Sequence, residues 1–195
     1  MADTRWLSEG ELDAWMAYLR ATHLLERRIE EQLKADSGLT HPHYEILAKL
    51  SIAPQRRLRM SDLARRLVVS KSGLTYQIGQ LEKRGLVERM DCPSDERGVL
   101  AVLTDEGVRC LEKTAPGHVA VVRAFLIDQL TPEELATMTR IMSKAAAAMS
   151  PNGSHGSPPG SWDGSRSESQ NGLRSGSQGG SPNGDRPSPS QVDPA

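Results

Sequence analysis

The chain has 195 residues, of which 37% are hydrophobic and 4% aromatic, and its formal net charge is −1 at pH 7. This length allows one domain or one domain with an appended segment, and no apolar run is long enough to span a membrane. Two cysteines give no disulfide framework and the N-terminus lacks the layout of a secretion signal, so the chain is expected in the cytoplasm, away from any membrane.

The shortage of hydrophobic residues is confined to the C-terminal segment 151–195. This segment contains 11 Ser, 9 Gly and 7 Pro residues. Such a composition cannot bury enough surface to offset the entropy of the chain, so it predicts a disordered tail. The tail is interpreted as an appendage without a site, and a partner-binding or solubilising segment is the alternative. Residues 1–150 have ordinary composition and are expected to form the folded domain.

Charge is distributed unevenly along this predicted domain. Residues 54–90 contain nine Lys or Arg residues against three Asp or Glu residues, whereas residues 1–53 contain six against nine. A basic middle between acidic flanks is typical of a module that binds a polyanion. A solvated charged face is the alternative.

The first two predicted helices lie within residues 8–53. Ser8 and Glu11 have the spacing of a capping box that begins a long helix, and Gly38 ends it. Thr40 then caps a second helix. Apolar residues recur along the first helix at helical spacing, and these are Leu12, Trp15, Leu19, Leu25, Ile29 and Leu33.

A helix-turn-helix is predicted next. Ser61 is expected to cap a short helix over residues 62–67, and Ser70 a second helix over about 71–84 that Gly85 ends. A short helix, a tight turn and a second capped helix form the helix-turn-helix pattern. The predicted inward face consists of Leu63, Leu67, Leu74, Ile78 and Leu81.

Two β-rich runs, 86–90 and 99–103, predict a hairpin with a long polar tip. A helix-turn-helix followed by a hairpin is a winged helix. Arg97 at the tip is suited to a DNA minor groove, whose negative potential attracts arginine, with Asp95 as its brace. The alternative for Arg97 is an exposed turn charge.

The last two predicted helices complete the chain of elements. Thr104 caps a fifth helix, which is expected to kink at Pro116 and to keep its helical phase as far as Leu130. Thr131 and Glu134 have the spacing of a capping box that begins the sixth helix.

The predicted fold class is therefore mainly α with a minor α+β character. A winged helix-turn-helix over residues 54–103 lies between long N- and C-terminal helices over residues 8–53 and 104–149. The apolar stripes of these terminal helices are separated in sequence by the winged helix, which favours pairing of two copies. Two-fold pairing places two recognition helices about 34–36 Å apart, over a pseudo-palindromic duplex.

The outward face of the predicted fourth helix carries side chains suited to a major groove. Hydroxyl and amide groups bind base edges there, and a Thr methyl can contact thymine. Gly73 and Gly79 are costly inside a helix, and close approach of a protein or DNA backbone would explain them. A helical hairpin with a solvated polar face is the alternative. The residues predicted to bind DNA from this helix and its cap are Ser70, Lys71, Ser72, Thr75, Tyr76 and Gln80.

Basic residues flank this helix and are candidates for phosphate contacts. Arg59, Arg65 and Lys83 are the contacts we predict. Others are expected to be surface charges or to pair with Glu82 or Glu88. The further candidates are Arg56, Arg57, Arg66, Arg84 and Arg89.

Five motifs in this order resemble the MarR (multiple antibiotic resistance regulator) family over about residues 8–148. The resemblance implies a homodimeric bacterial transcription factor, usually a repressor of its own or a neighbouring operon. It implies double-stranded DNA as partner, recognition by the helix over 70–80, minor-groove contact by Arg97, and dimerisation through the first and last two helices. The motifs are Met60-Ser61-Asp62-Leu63-Ala64, Ser70-Lys71-Ser72-Gly73-Leu74-Thr75, Leu81-Glu82-Lys83-Arg84-Gly85-Leu86-Val87, Asp91 with Asp95-Glu96-Arg97, and Leu103-Thr104-Asp105-Glu106-Gly107.

The resemblance also implies a small effector between the dimer helices and the winged helix, whose binding releases DNA. Aromatic side chains suit a phenolic or other planar ligand, and Arg27 suits a carboxylate. The alternatives are that Trp15 and Tyr44 belong to the core and that His23 packs between helices. The candidate effector-binding residues are Trp15, Tyr18, His23, Arg27, His41, His43 and Tyr44.

The sequence contains little that supports other functions. No phosphate-binding loop, nucleophile elbow or metalloprotease motif occurs, so no enzyme is predicted. No cofactor or metal site is predicted, although His41 and His43 have a spacing that zinc ligands can use. Redox control through an accessible Cys92, or through Cys110, is a minor alternative. The main rival is a non-specific architectural DNA-binding protein or a protein-interaction winged helix, which would show little preference among duplex sequences.

Overall fold

The computed structural model describes residues 4–92 and 95–149, and for residues 95–97 it describes the backbone only. The tail predicted over 151–195 lies outside the described residues. The elements in chain order are α1 (Glu9–Ser37), α2 (His41–Ser51), a 3₁₀ helix (Pro54–Arg56), β1 (Arg57–Arg59), α3 (Met60–Leu67), α4 (Lys71–Lys83), β2 (Val87–Cys92), β3 (Asp95–Leu103), α5 (Asp105–Phe125), a second 3₁₀ helix (Ile127–Gln129) and α6 (Pro132–Met149).

The predicted mainly α winged-helix fold is confirmed. Most of its helices begin and end at the capping residues that the sequence indicated. Ser8 and Glu11 form both hydrogen bonds of the capping box that begins α1. Ser70 caps α4 by accepting the Gly73 N–H at 3.0 Å. Gly38 ends α1 at a φ of 65°, a left-handed conformation that glycine adopts at little cost.

Two helix ends and one strand differ from the sequence prediction. Ser61 is not a cap, because the strand β1 runs directly into α3 and places Arg59 at the N-cap without a side-chain hydrogen bond. The strand itself was not predicted, since its three residues carry too little pattern. The fifth helix ends at Phe125 rather than near Leu130, because Leu126 leaves the helical conformation at φ −136°, ψ −64°.

The sheet is antiparallel in the order β1-β3-β2. Leu58 pairs with Ala101, and Val87 pairs with Leu103. The wing strands reach Cys92 on one side and begin at Asp95 on the other, so the hairpin tip is much shorter than the predicted 91–98. A register shift between Asp91 and Cys92 accommodates the polar residues that the sequence suggested were loop.

The core lies where the winged helix meets α2 and the C-terminal half of α1. It includes the predicted inward stripe of α4, so α4 packs by one face only. Leu67 of α3 is half-buried at the edge of this core. The most deeply buried apolar side chains are Leu33, Leu39, Ile46, Leu47, Leu50, Leu63, Leu74, Ile78 and Leu81.

The N-terminal half of α1 and all of α6 remain outside this core. Trp15 is 49% exposed and Met142 43% exposed, and no residue of α6 is buried in the single chain. The apolar stripes of these two helices are therefore only partly covered within one chain. None of the helices in the described part of the chain is long and apolar enough to cross a lipid bilayer.

A test of the packing concerns Gly107, where α5 begins against the base of the wing. A Cβ at this position would lie 2.6 Å from Leu103 Cδ1 and would overlap the Leu86 carbonyl oxygen. We expect Gly107→Ala to lower the free energy of unfolding by about 1–3 kcal/mol, measured by urea denaturation at fixed protein concentration.

Gly10→Ala is the matched control, because nothing lies within 4 Å of a Cβ at that exposed helical position. This variant is expected to gain roughly 0.5 kcal/mol from the lower helix cost of alanine. Equal stability of the two variants would contradict the proposed close approach of α5 to the wing.

Candidate nucleic-acid interface

The face of α4 opposite its buried stripe is open to solvent, as the helical period requires. Tyr76 is 64% exposed, and Lys71, Ser72 and Thr75 are also exposed, whereas Gln80 is half-buried. The face therefore presents one phenol, hydroxyls, an amide and an ammonium group, all of which can bind base edges or phosphates. Whether they contact DNA stays a prediction.

Hydroxyl groups at the start of α4 are partly engaged within the helix. Ser70 Oγ accepts the capping hydrogen bond and lies 3.2 Å from Ser72 Oγ. Thr75 Oγ1 donates to the Lys71 carbonyl oxygen at 2.8 Å, which leaves its lone pairs and methyl group available. These bonds hold the side chains in defined orientations, which a base-specific contact requires.

Gly79 lies half-buried on α4, and the protein gives no reason to exclude a side chain there. The nearest atom to an added Cβ is Arg89 Nη2 at 3.9 Å, an ordinary contact. At Gly73, an added Cβ would lie 3.0 Å from the capping Ser70 Oγ. Close approach of the protein backbone therefore does not explain Gly79.

The wing is tied to α4 by Arg89 of β2. Its Nη2 donates to the Thr75 carbonyl oxygen at 3.0 Å, and its Nη1 lies 3.2 Å from Glu82 Oε2. Both side chains of this ion pair are about one-third exposed. Arg89 thus holds the wing against α4, and its ion pair with Glu82 confirms the alternative that the sequence analysis gave for these cations.

The three predicted phosphate contacts surround the exposed face of α4. Lys83 is exposed at the end of α4, and Arg65 on α3 is exposed while pairing with Asp62 at 2.6 Å. Arg59 is half-buried at the end of β1. It lines a cleft of about 430 Å³ that extends to Lys71 on α4 and to Val99 in the wing.

Two further arginines that the sequence offered for phosphates have structural partners. Arg56 lies 3.1 Å from Asp105 Oδ1, which joins the segment before β1 to the start of α5. Arg84 donates to the Ser37 and Gly38 carbonyl oxygens at 2.8 and 3.0 Å. Arg84, one of the further candidates for phosphate contact, therefore has a structural role, because its guanidinium caps the C-terminal end of α1.

Arg97 and Asp95 belong to the second strand of the wing. Arg97 lies on β3, a strand of the wing, rather than in the loop predicted at the hairpin tip, because β3 begins at Asp95. Its side chain and that of Asp95 lie outside the described residues. The minor-groove contact and the bracing carboxylate both stay predictions.

Of the candidate effector residues, the structure brings His41 and Tyr44 together. They meet at His118 of α5, whose ring centroid lies 4.3 Å from that of Tyr44 and 6.0 Å from that of His41. Tyr44 is buried, which confirms the interpretation of Tyr44 as a core residue. His118 was not predicted to belong to this group, although it follows Leu111 by seven residues and so shares its helical stripe.

Four of the other effector candidates lie apart, on the exposed surface of α1. Trp15 and Tyr18 stack on each other with centroids 5.9 Å apart, and both are about half exposed. His23 is exposed, and Arg27 pairs with Glu31 at 2.9 Å. The interpretations of Trp15 as core and of His23 as a packing residue are therefore wrong within the single chain.

A second cleft, of about 460 Å³, separates the α1–α2 junction from α4. Glu30, His43, Tyr76 and Gln77 are among its lining residues. Among the described residues, no group of three or more His, Cys, Asp or Glu residues is arranged to hold a metal ion. Cys92, expected to be accessible, is buried in the wing.

Burial changes the ionisation of the residues around these clefts. It raises the pKa of Tyr44 to about 12. It lowers the pKa of His118, with the nearby His41 as the second cause, and it lowers the pKa of His43, with the charge of Arg84 as the second cause. Both imidazoles are therefore neutral in the folded chain at pH 7.

These histidines predict a fall in stability at mildly acidic pH. The unfolded chain binds protons near the ordinary histidine value of 6.5, above the folded pKa values, so the free energy of unfolding decreases as the pH drops below about 6.5. We expect His118→Phe, which keeps a ring against Tyr44, to lose less stability between pH 7.5 and 5.5 in urea denaturation. An equal loss in the variant and the wild type would show that His118 titrates normally in the folded chain.

Comparison with known proteins identifies relatives of this fold and site. A model of the MarR family matches residues 39–99. Sco3205, a MarR family transcriptional regulator from Streptomyces coelicolor solved in complex with DNA, is 43% identical with a TM-score of 0.75, over 78% of this chain and 95% of that one. AbsC, a MarR family transcriptional regulator from the same organism, is 43% identical with a TM-score of 0.72, over 74% and 97%. The transcriptional repressor MdtR of Bacillus subtilis is 32% identical over 57% of this chain and 70% of its own.

Proposed function

The chain belongs to the MarR family of transcriptional regulators, and from this premise we propose that it is a homodimeric repressor that binds a pseudo-palindromic operator through α4. The observation that carries the proposal is the exposed face of α4, where Ser72, Thr75 and Tyr76 lie opposite a fully buried apolar stripe. Two findings about relatives support it: Sco3205 was solved in complex with DNA, and MdtR is named a repressor.

In this proposal, contacts divide into those that recognise bases and those that bind phosphates. Ser72, Thr75, Tyr76 and Gln80 enter the major groove. Lys83 and the other cations around α4 neutralise phosphates, which supplies affinity and a steep dependence on salt but no sequence information. The wing adds Arg97 in the minor groove, where a narrow groove concentrates negative potential.

Dimerisation would cover the apolar surface that the single chain leaves exposed. Trp15 and Met16 on α1 and Ile141 and Met142 on α6 are all between 43% and 55% exposed. Surface of this kind is rarely left open on two helices of a stable monomer. A two-fold axis through these helices would set the two copies of α4 about one helical turn of DNA apart, roughly 34–36 Å.

Release by a small effector would act at the junction of the terminal helices with the winged helix. The 460 Å³ cleft between the α1–α2 junction and α4 offers the rings of His43 and Tyr76 to a planar or phenolic ligand, whereas none of His41, Tyr44 and His118 lines this cleft. A ligand that prefers one separation of α2 and α4 would shift the population of dimers able to span the operator. The exposed candidates Trp15, Tyr18, His23 and Arg27 are better placed for the dimer surface.

The first test replaces the residues of the recognition helix and the wing. We expect Tyr76→Ala and Arg97→Ala each to weaken binding to the cognate duplex by about 1–3 kcal/mol, and the pair together to abolish sequence preference, in fluorescence anisotropy at fixed salt. The cognate duplex is identified beforehand by footprinting the promoter of the chain's own gene.

Two controls sharpen this experiment. Tyr76→Phe separates the hydroxyl from the ring, and it should keep most of the affinity if the ring contacts a thymine methyl. Arg109→Ala removes an equal charge from α5, where Arg109 pairs with Glu106, and should leave the sequence preference intact. Unchanged specific binding by the double variant would refute the assignment of α4 and the wing.

The second test concerns the dimer surface. We expect Met142→Glu to shift the chain from dimer to monomer in sedimentation velocity, because a carboxylate would be buried without a partner. Ala136→Glu places the same side chain about 120° away around α6 and should stay dimeric. A dimer that persists in Met142→Glu would exclude α6 as the interface.

A further inference from the structure

The C-terminal ends of α1 and α4 meet at Arg84. The Gly38 N–H bonds the Leu33 and Lys34 carbonyl oxygens, which ends α1 and leaves the Ser37 and Gly38 carbonyl oxygens without helical donors. Arg84 Nη2 donates to the first of these at 2.8 Å and Nη1 to the second at 3.0 Å. A cation is favourable there, because the C-terminal end of a helix carries partial negative charge.

Arg84 itself is held firmly at the end of α4. Its backbone N–H bonds the Leu81 carbonyl oxygen, and Gly85 follows in the left-handed conformation at φ 69°. The next residue, Leu86, is buried and bonds back to Leu81 at 3.0 Å. The guanidinium therefore projects from a fixed backbone, so its two hydrogen bonds restrain α4 relative to α1.

The C-terminal end of α1, which accepts the Arg84 hydrogen bonds, is also held in place. Glu30 of α1 accepts the His41 N–H at 2.8 Å, which joins α1 to the first turn of α2. Leu39, between the two helices, is fully buried. The end of α1 is thus firmly held, and Arg84 bonds directly to it from the C-terminal end of α4.

We infer that Arg84 is a positioning residue that sets the separation and angle of the two recognition helices, and so selects the spacing between operator half-sites. The inference rests on the proposed dimeric DNA-binding function. Two donors in one plane on two adjacent carbonyl oxygens restrict rotation of α4 against α1, whereas a lysine ammonium would act as a single point charge. Arg84 needs no contact with DNA for this role.

The experiment measures spacing preference rather than affinity alone. Three duplexes carry the cognate half-sites at the natural separation, with one base pair inserted, and with one removed. We expect the wild-type chain to bind the altered duplexes about tenfold or more weakly, since one half-site is then out of register. Arg84→Gln should reduce this ratio to about threefold or less while binding a single half-site as tightly as the wild type.

Arg84→Lys and Arg66→Gln complete the set. The lysine variant keeps the charge and should fold even if Arg84→Gln does not, and its spacing ratio is expected between the other two. Arg66 is an exposed arginine of α3, so Arg66→Gln should weaken all three duplexes equally through lost phosphate attraction.

The outcomes separate this inference from the function on which it rests. A reduced spacing ratio in Arg84→Gln and an intermediate one in Arg84→Lys support the positioning role. A spacing ratio in either variant equal to that of the wild type overturns it and leaves the proposed function intact. A wild-type chain that prefers no duplex sequence overturns both.

Discussion

Burial of one narrow stripe of α4 is the constraint on which the arrangement of the winged helix depends. Leu74, Ile78 and Leu81 are each no more than 1% exposed and join α4 to the common core. A helix that buries one face in this way must present the opposite face to solvent, and that face carries Ser72 and Tyr76. The side chains that stabilise the fold therefore also determine which side chains are available to a major groove.

Positive charge around this helix has two separate uses. Arg89 and Arg84 use their guanidinium groups on backbone carbonyl oxygens, one tying the wing to α4 and the other tying α4 to α1. Lys71 and Lys83 remain exposed at the two ends of the helix. The excess of cations over residues 54–90 thus has two parts: some arginines form structural hydrogen bonds, and other cations are available for phosphates. A count of charges cannot distinguish the two.

The sequence was sufficient for the features that depend on local spacing. The capping box at Ser8, the cap at Ser70 and the buried stripe of α4 follow from short patterns, and the structure confirms them. It was insufficient for features that depend on contacts between segments far apart in the chain. The roles of Arg84 and His118 depend on partners 46 and more residues away, and periodicity along α6 cannot distinguish burial within one chain from burial between two. The DNA contacts of the site residues remain predictions for the same reason, since their partner is another molecule.

Selection of duplexes from a random pool by the full chain, followed by sequencing, tests the central claim most directly. If two copies of α4 occupy successive major grooves, the retained pool should contain an inverted repeat whose half-site centres are about 10–10.5 base pairs apart. Substitution of Tyr76 should remove the enrichment of that repeat. A retained pool without a recurring motif, or a motif with no two-fold symmetry, would contradict the account of this chain as a dimeric, sequence-specific regulator.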